Sequence, residues 1–487
     1  MEPFRIKAVE PIPLRTVEER EQILAEADYN VFRVHSSDVT IDLLTDSGTT
    51  AMSAKQWASM FLGDESYAWA SSYERFERTV RELTGFPEVI PIHQGRAAER
   101  LLFTMLLRPG RITAANGHFD STRANVELLD CQALDLPSPE AADLVSEAPF
   151  KGNIDLDRLR ELLDGPAGGQ VAVVIMTVTD NGGGGQPVSL ENLRSVREMC
   201  RRYEVPLLLD ASRFAENAHL IIAREPGQQG RTPREVARAM FDLADGCWAS
   251  LKKDGMANTG GLIALRDPET AARCRELLTT SEGFPTYGGL AGRDLETLAQ
   301  GLQEVTDPAY LAHRADTAAW FADALSKAGL PTLRPAGCHA VYADAGQLLP
   351  HISPANFPGQ ALVCELYRLA GVRTVEFGTL TFGHDGQEAQ HELVRLALPR
   401  RVYTRSHLEY VVEAVSDLVG RAGELTGFTI TGPEPPMRHF TVKLIPLQGN
   451  QEGQEDHGNQ VGHASQEDPE SQEDPESQGD QEGRDPQ

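Results

Sequence analysis

Two lysines stand side by side in "ASLKKDGMANTGG", residues 249–261. The chain is sparing with lysine, having only Lys7, Lys55, Lys151, Lys252, Lys253, Lys327 and Lys443. Yet Lys252 and Lys253 sit together, between a short apolar run and a glycine-rich turn. Upstream, Asp210 ends the apolar run "VPLLLD" and Arg213 follows in "DASR". Asn181 follows another apolar run, "VAVVIMTVT". Nearer the start, "HQGRAAE" (93–99) offers the backbone N–H groups of Gln94 and Gly95 and the guanidinium of Arg96.

Taken as one site, these groups have the layout of a pyridoxal phosphate pocket. An Asp closes a strand, an Arg follows, and a Lys comes about forty residues later before a Gly-rich turn. A lysine amine can anchor the cofactor aldehyde covalently. A carboxylate beside the pyridine nitrogen keeps it protonated, so that the ring accepts electrons. Backbone N–H groups at a helix start, with an Arg or Ser, can hold the phosphate. Each element alone has a plainer reading: a solvated lysine pair, an Asp capping a helix, a common Gly-rich loop. Their order and spacing carry the inference.

The elements that must position these groups can be read from the apolar pattern. "VAVVIMTVT" (171–179), "VPLLLD" (205–210), "GCWAS" (246–250) and "GLIAL" (261–265) read as strands. After "NGGGGQP", Ser189 is a plausible N-cap, and Leu193, Val196 and Cys200 mark one helical face. Apolar runs alternating with helices indicate an α/β fold with a mostly parallel sheet covered on both faces. Ligands in such sheets sit at the carboxyl ends of the strands. Residues from about 306 to 447 read as a smaller α+β domain, with the large domain over about 46–305. Residues 1–45 are hard to place from pattern and are expected to form an N-terminal arm and part of the small domain.

Composition limits the alternatives. The chain has 487 residues and a formal net charge of −27, which disfavours nucleic-acid binding. No apolar run suggests a membrane span and the N-terminus lacks a signal-peptide pattern. Six scattered cysteines without CxxC spacing favour free thiols in a reducing compartment, so a cytoplasmic protein is expected. Residues 448–487 hold 12 acidic residues and one Arg, in a degenerate repeat of Gln, Glu, Asp, Pro and Ser. Such a segment reads as a disordered acidic tail.

Longer stretches resemble the β-eliminating lyase family of fold-type-I pyridoxal phosphate enzymes. They include "EPFRIKAVEP" (2–11), "DLLTDSGTTAMS" (42–53), "GDESYA" (63–68), "FKGNIDL" (150–156), "DASRFAENA" (210–218), "SLKKD" (250–254), "EGFPTYGGLAGRD" (282–294) and "RLALPRRVYT" (395–404). The resemblance runs from residue 2 to 444 and implies a seven-stranded, mostly parallel sheet in the large domain. It also implies a homotetramer with shared active sites and an amino-acid substrate. By resemblance, Lys253 is the covalent anchor and the base at the substrate Cα. Lys252 lowers the pKa of Lys253, and Asp210 pairs with the pyridine nitrogen. Asn181 and Arg213 contact the phenolic oxygen, and Gln94, Gly95, Arg96 and Ser250 bind the phosphate. Phe119 stacks on the ring, Arg395 grips the substrate carboxylate, and Thr45 and Ser47 line the substrate site. Tyr67 is the general acid for the leaving group. Oxygens of Gly48, Glu65 and Asn258 are expected to bind potassium between subunits.

Three positions separate the indole-releasing from the phenol-releasing branch of the family. Phe377 stands where the phenol branch has an Arg, Asp120 where it has a Thr, and His439 where it has a Phe. All three favour cleavage of L-tryptophan to indole, pyruvate and ammonium, with L-tyrosine cleavage as the alternative. Four residues depart from the family pattern: Leu251, Ala97, His118 and Trp69. Each is expected to bear on the substrate pocket or its closure.

Overall fold

A computed structural model describes residues 1–383, 386–435 and 437–447. The acidic tail expected over 448–487 lies outside the described residues.

The main sheet has seven strands. In chain order they are β1 (Glu88–Ile92), β2 (Ile112–Ala115), β3 (Gln132–Asp135), β4 (Val171–Thr177), β5 (Leu207–Asp210), β6 (Gly246–Ser250) and β7 (Gly261–Leu265). Across the sheet they run β1-β7-β6-β5-β4-β2-β3. Strands β6, β5, β4, β2 and β3 are mutually parallel, and β7 is antiparallel to both its neighbours. The mostly parallel sheet expected from the apolar runs is therefore present. All four residues of β5 and all five of β6 are buried, as a sheet covered on two faces requires.

Four helices bear on the strand ends: α1 (Gly95–Leu106), α2 (Asp120–Glu127), α3 (Leu190–Arg202) and α4 (Phe214–Arg224). Ser189 caps α3 by accepting the amide hydrogen of Asn192, and the predicted face of Leu193, Val196 and Cys200 is fully buried. Each such aliphatic side chain taken from water contributes about 1.5–3 kcal/mol, which pins the helices that frame the site.

A second sheet has the order β9-β10-β8, all antiparallel, from β8 (Ala340–Asp344), β9 (Val375–Phe377) and β10 (Leu393–Ala397). With it pack α5 (Pro308–Lys327), α6 (Pro358–Ala370), the single turn α7 (Thr379–Phe382) and α8 (Arg405–Val419). The first 45 residues find their place here. Leu24, Val31 and Ile41 share a core with Phe321, Leu362 and Leu396, and Ile41–Asp42 pairs in parallel with Val372–Arg373. The expected division near residue 305 falls just before α5. Tyr310 and Leu311 of α5 lie in the large core, while Ala318 and Phe321 lie in the second, so this one helix bridges both. The six cysteines are buried and free. No helix among the described residues is long and apolar enough to cross a membrane.

Candidate active site

A cavity of about 320 Å³ opens at the carboxyl ends of β4, β5 and β6. Ser47, Gln94, Gly95, Arg96, Phe119, Asn181, Asp210, Arg213, Ser250, Lys252 and Lys253 all line it. Most of the groups picked out along 200 residues of sequence therefore converge on one space.

The local structure explains why they hold still. Asp210 ends β5, and Ser212 donates both its hydroxyl (2.7 Å) and its amide (3.1 Å) to Asp210 Oδ1. The Ser212 hydroxyl in turn accepts the amide hydrogen of Ser250 at 3.0 Å. Gly95 begins α1 so close to β6 that a side-chain carbon there would lie 2.7 Å from Ser250 Cβ. Only glycine lets the helix start approach. The Gln94 side chain does not cap α1, which leaves the opening N–H groups for an anion.

Asn181 is oriented from three sides. Its Oδ1 accepts from His339 Nε2 (2.8 Å), Tyr342 OH (2.9 Å) and Arg395 Nη1 (3.3 Å). Its Nδ2 is buried and bonds nothing among the described residues. That leaves an amide donor that could still bind an acceptor such as a phenolic oxygen. Burial lowers the pKa of His339 well below its usual value, with Arg213 adding to the effect, so the ring stays neutral and donates through Nε2. Arg395 also donates to Leu44 O (3.0 Å) and lies 4.5 Å from the Phe377 ring centre. Its Nε is buried without a partner among the described residues.

Burial lowers the pKa of Lys253 to about 8, and Arg213 pushes the same way. The sequence assigned that effect to Lys252. Instead the leading cations acting on Lys253 are Arg213 and Arg400. Lys252 runs beside Gly48, its Cε 3.0 Å from where a Gly48 side chain would begin, and is itself lowered by burial and by Arg96.

Arg213 differs from expectation in its partner. It makes two hydrogen bonds to Asp46, at 3.1 and 2.8 Å, while still lining the cavity. Asp46 also accepts from the fully buried Arg400 at 3.0 Å, and Arg400 reaches Glu216 (2.9 Å) and Asp254 (2.8 Å). A buried ionic network thus lies behind the lysine. Sequence reasoning missed Asp46, Ser212, Glu99, His339 and Tyr342. Glu99 lines the cavity, and its carboxyl accepts the Ser121 and Thr122 hydroxyls, both at 2.9 Å. Burial raises its pKa to about 7.

A second cavity of about 590 Å³ is lined by Asp120, His439, Phe377, Thr381 and Phe382 among others. Asp120 Oδ2 lies 4.0 Å from His439 Nε2. Burial raises the pKa of Asp120. The Thr45 hydroxyl accepts the Ser47 amide hydrogen at 3.1 Å and so shapes the turn that brings Ser47 to the first cavity.

Tyr67 is not brought to either cavity of its own chain. It is 70% exposed, with its ring against Tyr287 and Phe284. Of the three expected cation ligands, Gly48 and Asn258 stay together and Glu65 does not join them. Asn258 Nδ2 donates to Gly48 O at 2.8 Å, but Glu65 accepts from the amides of Gly292 (2.9 Å) and Arg293 (3.2 Å) instead. Of the four departing residues, Leu251 is 1% exposed and packs in the large core rather than toward the cavity. His118 is held between Asp135 (2.5 Å) and Thr113 (2.8 Å). Ala97 packs beside the core around Leu101 and Leu102, and Trp69 is exposed, edge-on to Tyr73.

A pyridoxal phosphate group fits the first cavity. The lysine Lys253, the strand-end carboxylate Asp210, Asn181 and the uncapped helix start at Gln94 and Gly95 all line it.

Comparison with known proteins agrees. The beta-eliminating lyase family profile matches residues 42–414. A tryptophanase of Salinibacter ruber is 52% identical over 450 residues, covering 92% of this chain and 95% of the relative. A tyrosine phenol-lyase of Intrasporangium calvum is 45% identical over 450 residues, covering 92% and 95%. Among solved structures, threonine aldolase of Leishmania major aligns with a TM-score of 0.56 at 16% identity, covering 78% of this chain and 99% of that one. That likeness speaks for the fold.

Proposed function

The chain belongs to the beta-eliminating lyase family of fold-type-I pyridoxal phosphate enzymes, and from that premise we propose that it cleaves L-tryptophan with water to indole, pyruvate and ammonium. The observation that carries the choice of substrate is the second cavity, where Asp120 faces His439 and Phe377 covers Arg395. An indole N–H is a donor only and needs an acceptor, which Asp120 supplies. A phenol would be met at position 377 by a hydrocarbon ring.

When bound, pyridoxal phosphate supplies the electron sink that makes the substrate Cα–H acidic. Gln94, Gly95, Arg96 and Ser250 would hold its phosphate, Asp210 its ring nitrogen, Asn181 and Arg213 its phenolic oxygen, and Phe119 its face. Lys253 would anchor it covalently. We assign the substrate carboxylate to Arg395, whose planar fork suits two oxygens, and the lining of the same site to Thr45 and Ser47. Once the substrate amine has taken its place on the cofactor, the freed Lys253 amine, whose pKa is lowered, would take the Cα proton. Asp120, with His439 next to it, steadies positive charge as indole C3 is protonated and the Cβ–Cγ bond breaks.

Tyr67 is too exposed to serve its own cavity, so we assign it to the cavity of a neighbouring copy in a homotetramer. The same packing would bring Glu65 of one copy to Gly48 and Asn258 of another around a potassium ion, whose hard charge prefers oxygen ligands.

Purified enzyme given each amino acid decides the substrate. Indole from tryptophan at the higher kcat/KM is expected; phenol from tyrosine at the higher kcat/KM would overturn the reading. Loss of activity on replacing potassium with sodium, restored on its return, tests the cation.

A further inference from the structure

Two buried carboxyls converge on Gly378 behind the aromatic wall of the second cavity. Glu376 lies in β9 and Glu392 immediately precedes β10; they are 2% and 6% exposed. Glu376 Oε1 and Glu392 Oε2 both lie under 3.0 Å from the point where a side chain would begin at Gly378, so only glycine fits between them. Glu376 accepts from the amides of Leu380 (3.1 Å) and Thr381 (2.9 Å) and from the Thr381 hydroxyl (2.7 Å). Glu392 Oε1 accepts the amide of Thr379 at 3.0 Å and its hydroxyl. The three amides that open α7 therefore all end on this pair.

The carbonyl side of the same turn is held by Arg438, which donates to Leu380 O (3.0 Å) and Thr379 O (2.6 Å). α7 is thus clamped between two carboxyls and the residue that precedes His439. Phe377 adjoins the turn, and Thr381 and Phe382 within it line the cavity. Glu392 Oε2 is buried without a hydrogen bond among the described residues. A proton there, directed at Glu376, would satisfy it and remove the repulsion between two charges with little water to screen them.

We propose that Glu376 and Glu392 share one proton and act as positioning residues, fixing α7, Phe377 and the Arg438–His439 segment and so setting how tightly the cavity grips a substrate ring. The proposal rests on the aromatic-substrate reading above. Burial raises Glu376 to about 8, with Glu392 pushing the same way, and raises Glu392 to about 7, with Glu388 and Asp344 pushing the same way. His391, lowered by burial, flanks the pair without adding positive charge at neutral pH, and Arg438 is held by the carbonyls of α7. The shared proton is therefore retained at neutral pH and lost as pH rises past about 8, when the clamp loosens.

Infrared difference spectroscopy of the wild-type holoenzyme against Glu392→Gln tests this, because the carboxyl of Glu99, also raised to about 7, is common to both and cancels. A protonated-carboxyl C=O band is expected in the difference at neutral pH, fading as pH passes about 8. In kinetics, the amide of Glu392→Gln stands in for the proton. Its KM for tryptophan should stay within about twofold of wild type, without the alkaline rise, while Glu392→Ala raises KM about tenfold. L-Cysteine has no ring to grip, and its kcat/KM should change less than about threefold in both variants. The absence of the band, equal KM defects in Gln and Ala variants, or a cysteine defect as large as the tryptophan defect would each overturn the proposal. If wild type released phenol but no indole, the substrate reading would fall while the band still decided the pair.

Discussion

The hydroxyl of Ser212 donates to Asp210 Oδ1 at 2.7 Å while accepting the amide hydrogen of Ser250. One small side chain therefore couples the carboxylate proposed for the pyridine nitrogen to the serine proposed for the phosphate. It fixes the distance between opposite ends of the cofactor cavity.

Ser212 itself lines the cavity, and Ser212→Ala should therefore weaken cofactor binding. Hydrogen bonds to charged groups contribute about 1.5–3 kcal/mol, so the Kd for pyridoxal phosphate should rise about tenfold or more. Asp210 keeps the Ser212 amide, which limits the loss. Titration of apoenzyme by absorbance measures it; an unchanged Kd would detach Ser212 from the site.

The lowered pKa of Lys253 has a direct consequence in pH. Its amine is held near 8 by burial and Arg213, against about 10.4 for a free lysine. The apoenzyme should therefore capture pyridoxal phosphate faster as pH rises, with a midpoint near 8. Stability follows the same sign. Below about 8 both folded and unfolded chains hold this proton, and the folded state bears the cost of a buried charge. Between about 8 and 10.4 the unfolded chain binds more of the proton, so this group's contribution to stability rises with pH. A stopped-flow pH profile of cofactor capture with a midpoint at the ordinary lysine value would contradict the assignment.

Arg395 is held by Asn181 and Leu44 and lies over Phe377. Arg395→Lys keeps the charge but loses the planar fork. KM for the amino acid should rise by at least about tenfold while the cofactor still binds, because the loss falls on the carboxylate contact. Steady-state kinetics beside a cofactor titration separate the two; a fall in kcat with KM unchanged would place Arg395 elsewhere in the reaction.

How much of this was legible along the chain depends on the range of the interactions. Asp210, Ser250 and Lys253 announce themselves because a buried strand is a continuous apolar run and the first polar residue after it marks its end. Gly95 shows through the same local logic, a helix start that no side chain may obstruct. Asp46 could not be found this way: it sits in the irregular segment "LLTDSGTT", and its partners Arg213 and Arg400 are 167 and 354 residues distant. His339 and Tyr342 orient Asn181 from β8 and the segment before it, and neither has a pattern that points across the fold. Glu99 carries no signal of its own in "GRAAER", and its burial, at 4% exposed, is visible only in the fold. Leu251 misled in the other direction. Being next to the lysine pair suggested a pocket residue, but the chain turns there and sends it into the core.

That placement separates stability from specificity. Leu251→Ala removes a fully buried aliphatic side chain and should cost about 2–5 kcal/mol of stability. Because the side chain lies outside both cavities, the ratio of kcat/KM for tryptophan and tyrosine should hold. Chemical denaturation and paired kinetics test it; a shifted ratio at unchanged stability would return Leu251 to the pocket.

Asp46 is the keystone of the ionic network behind Lys253. Burial alone would raise its pKa, but Arg213 and Arg400 outweigh that and hold it well below the usual carboxylate range. A carboxylate lowered on folding stabilises fully above its unfolded pKa, near 3.9, and that contribution is lost as pH falls through the lower folded value. Asp46→Asn leaves two buried guanidiniums short of a counter-charge, a change that typically costs about 3–5 kcal/mol. The variant should unfold at lower denaturant at pH 7, and the gap to wild type should narrow as pH falls below about 3.9, where the unfolded chain takes up a proton that the folded carboxylate still refuses. A gap that stays constant down to the lowest pH would mean that the network stabilises by packing rather than by charge.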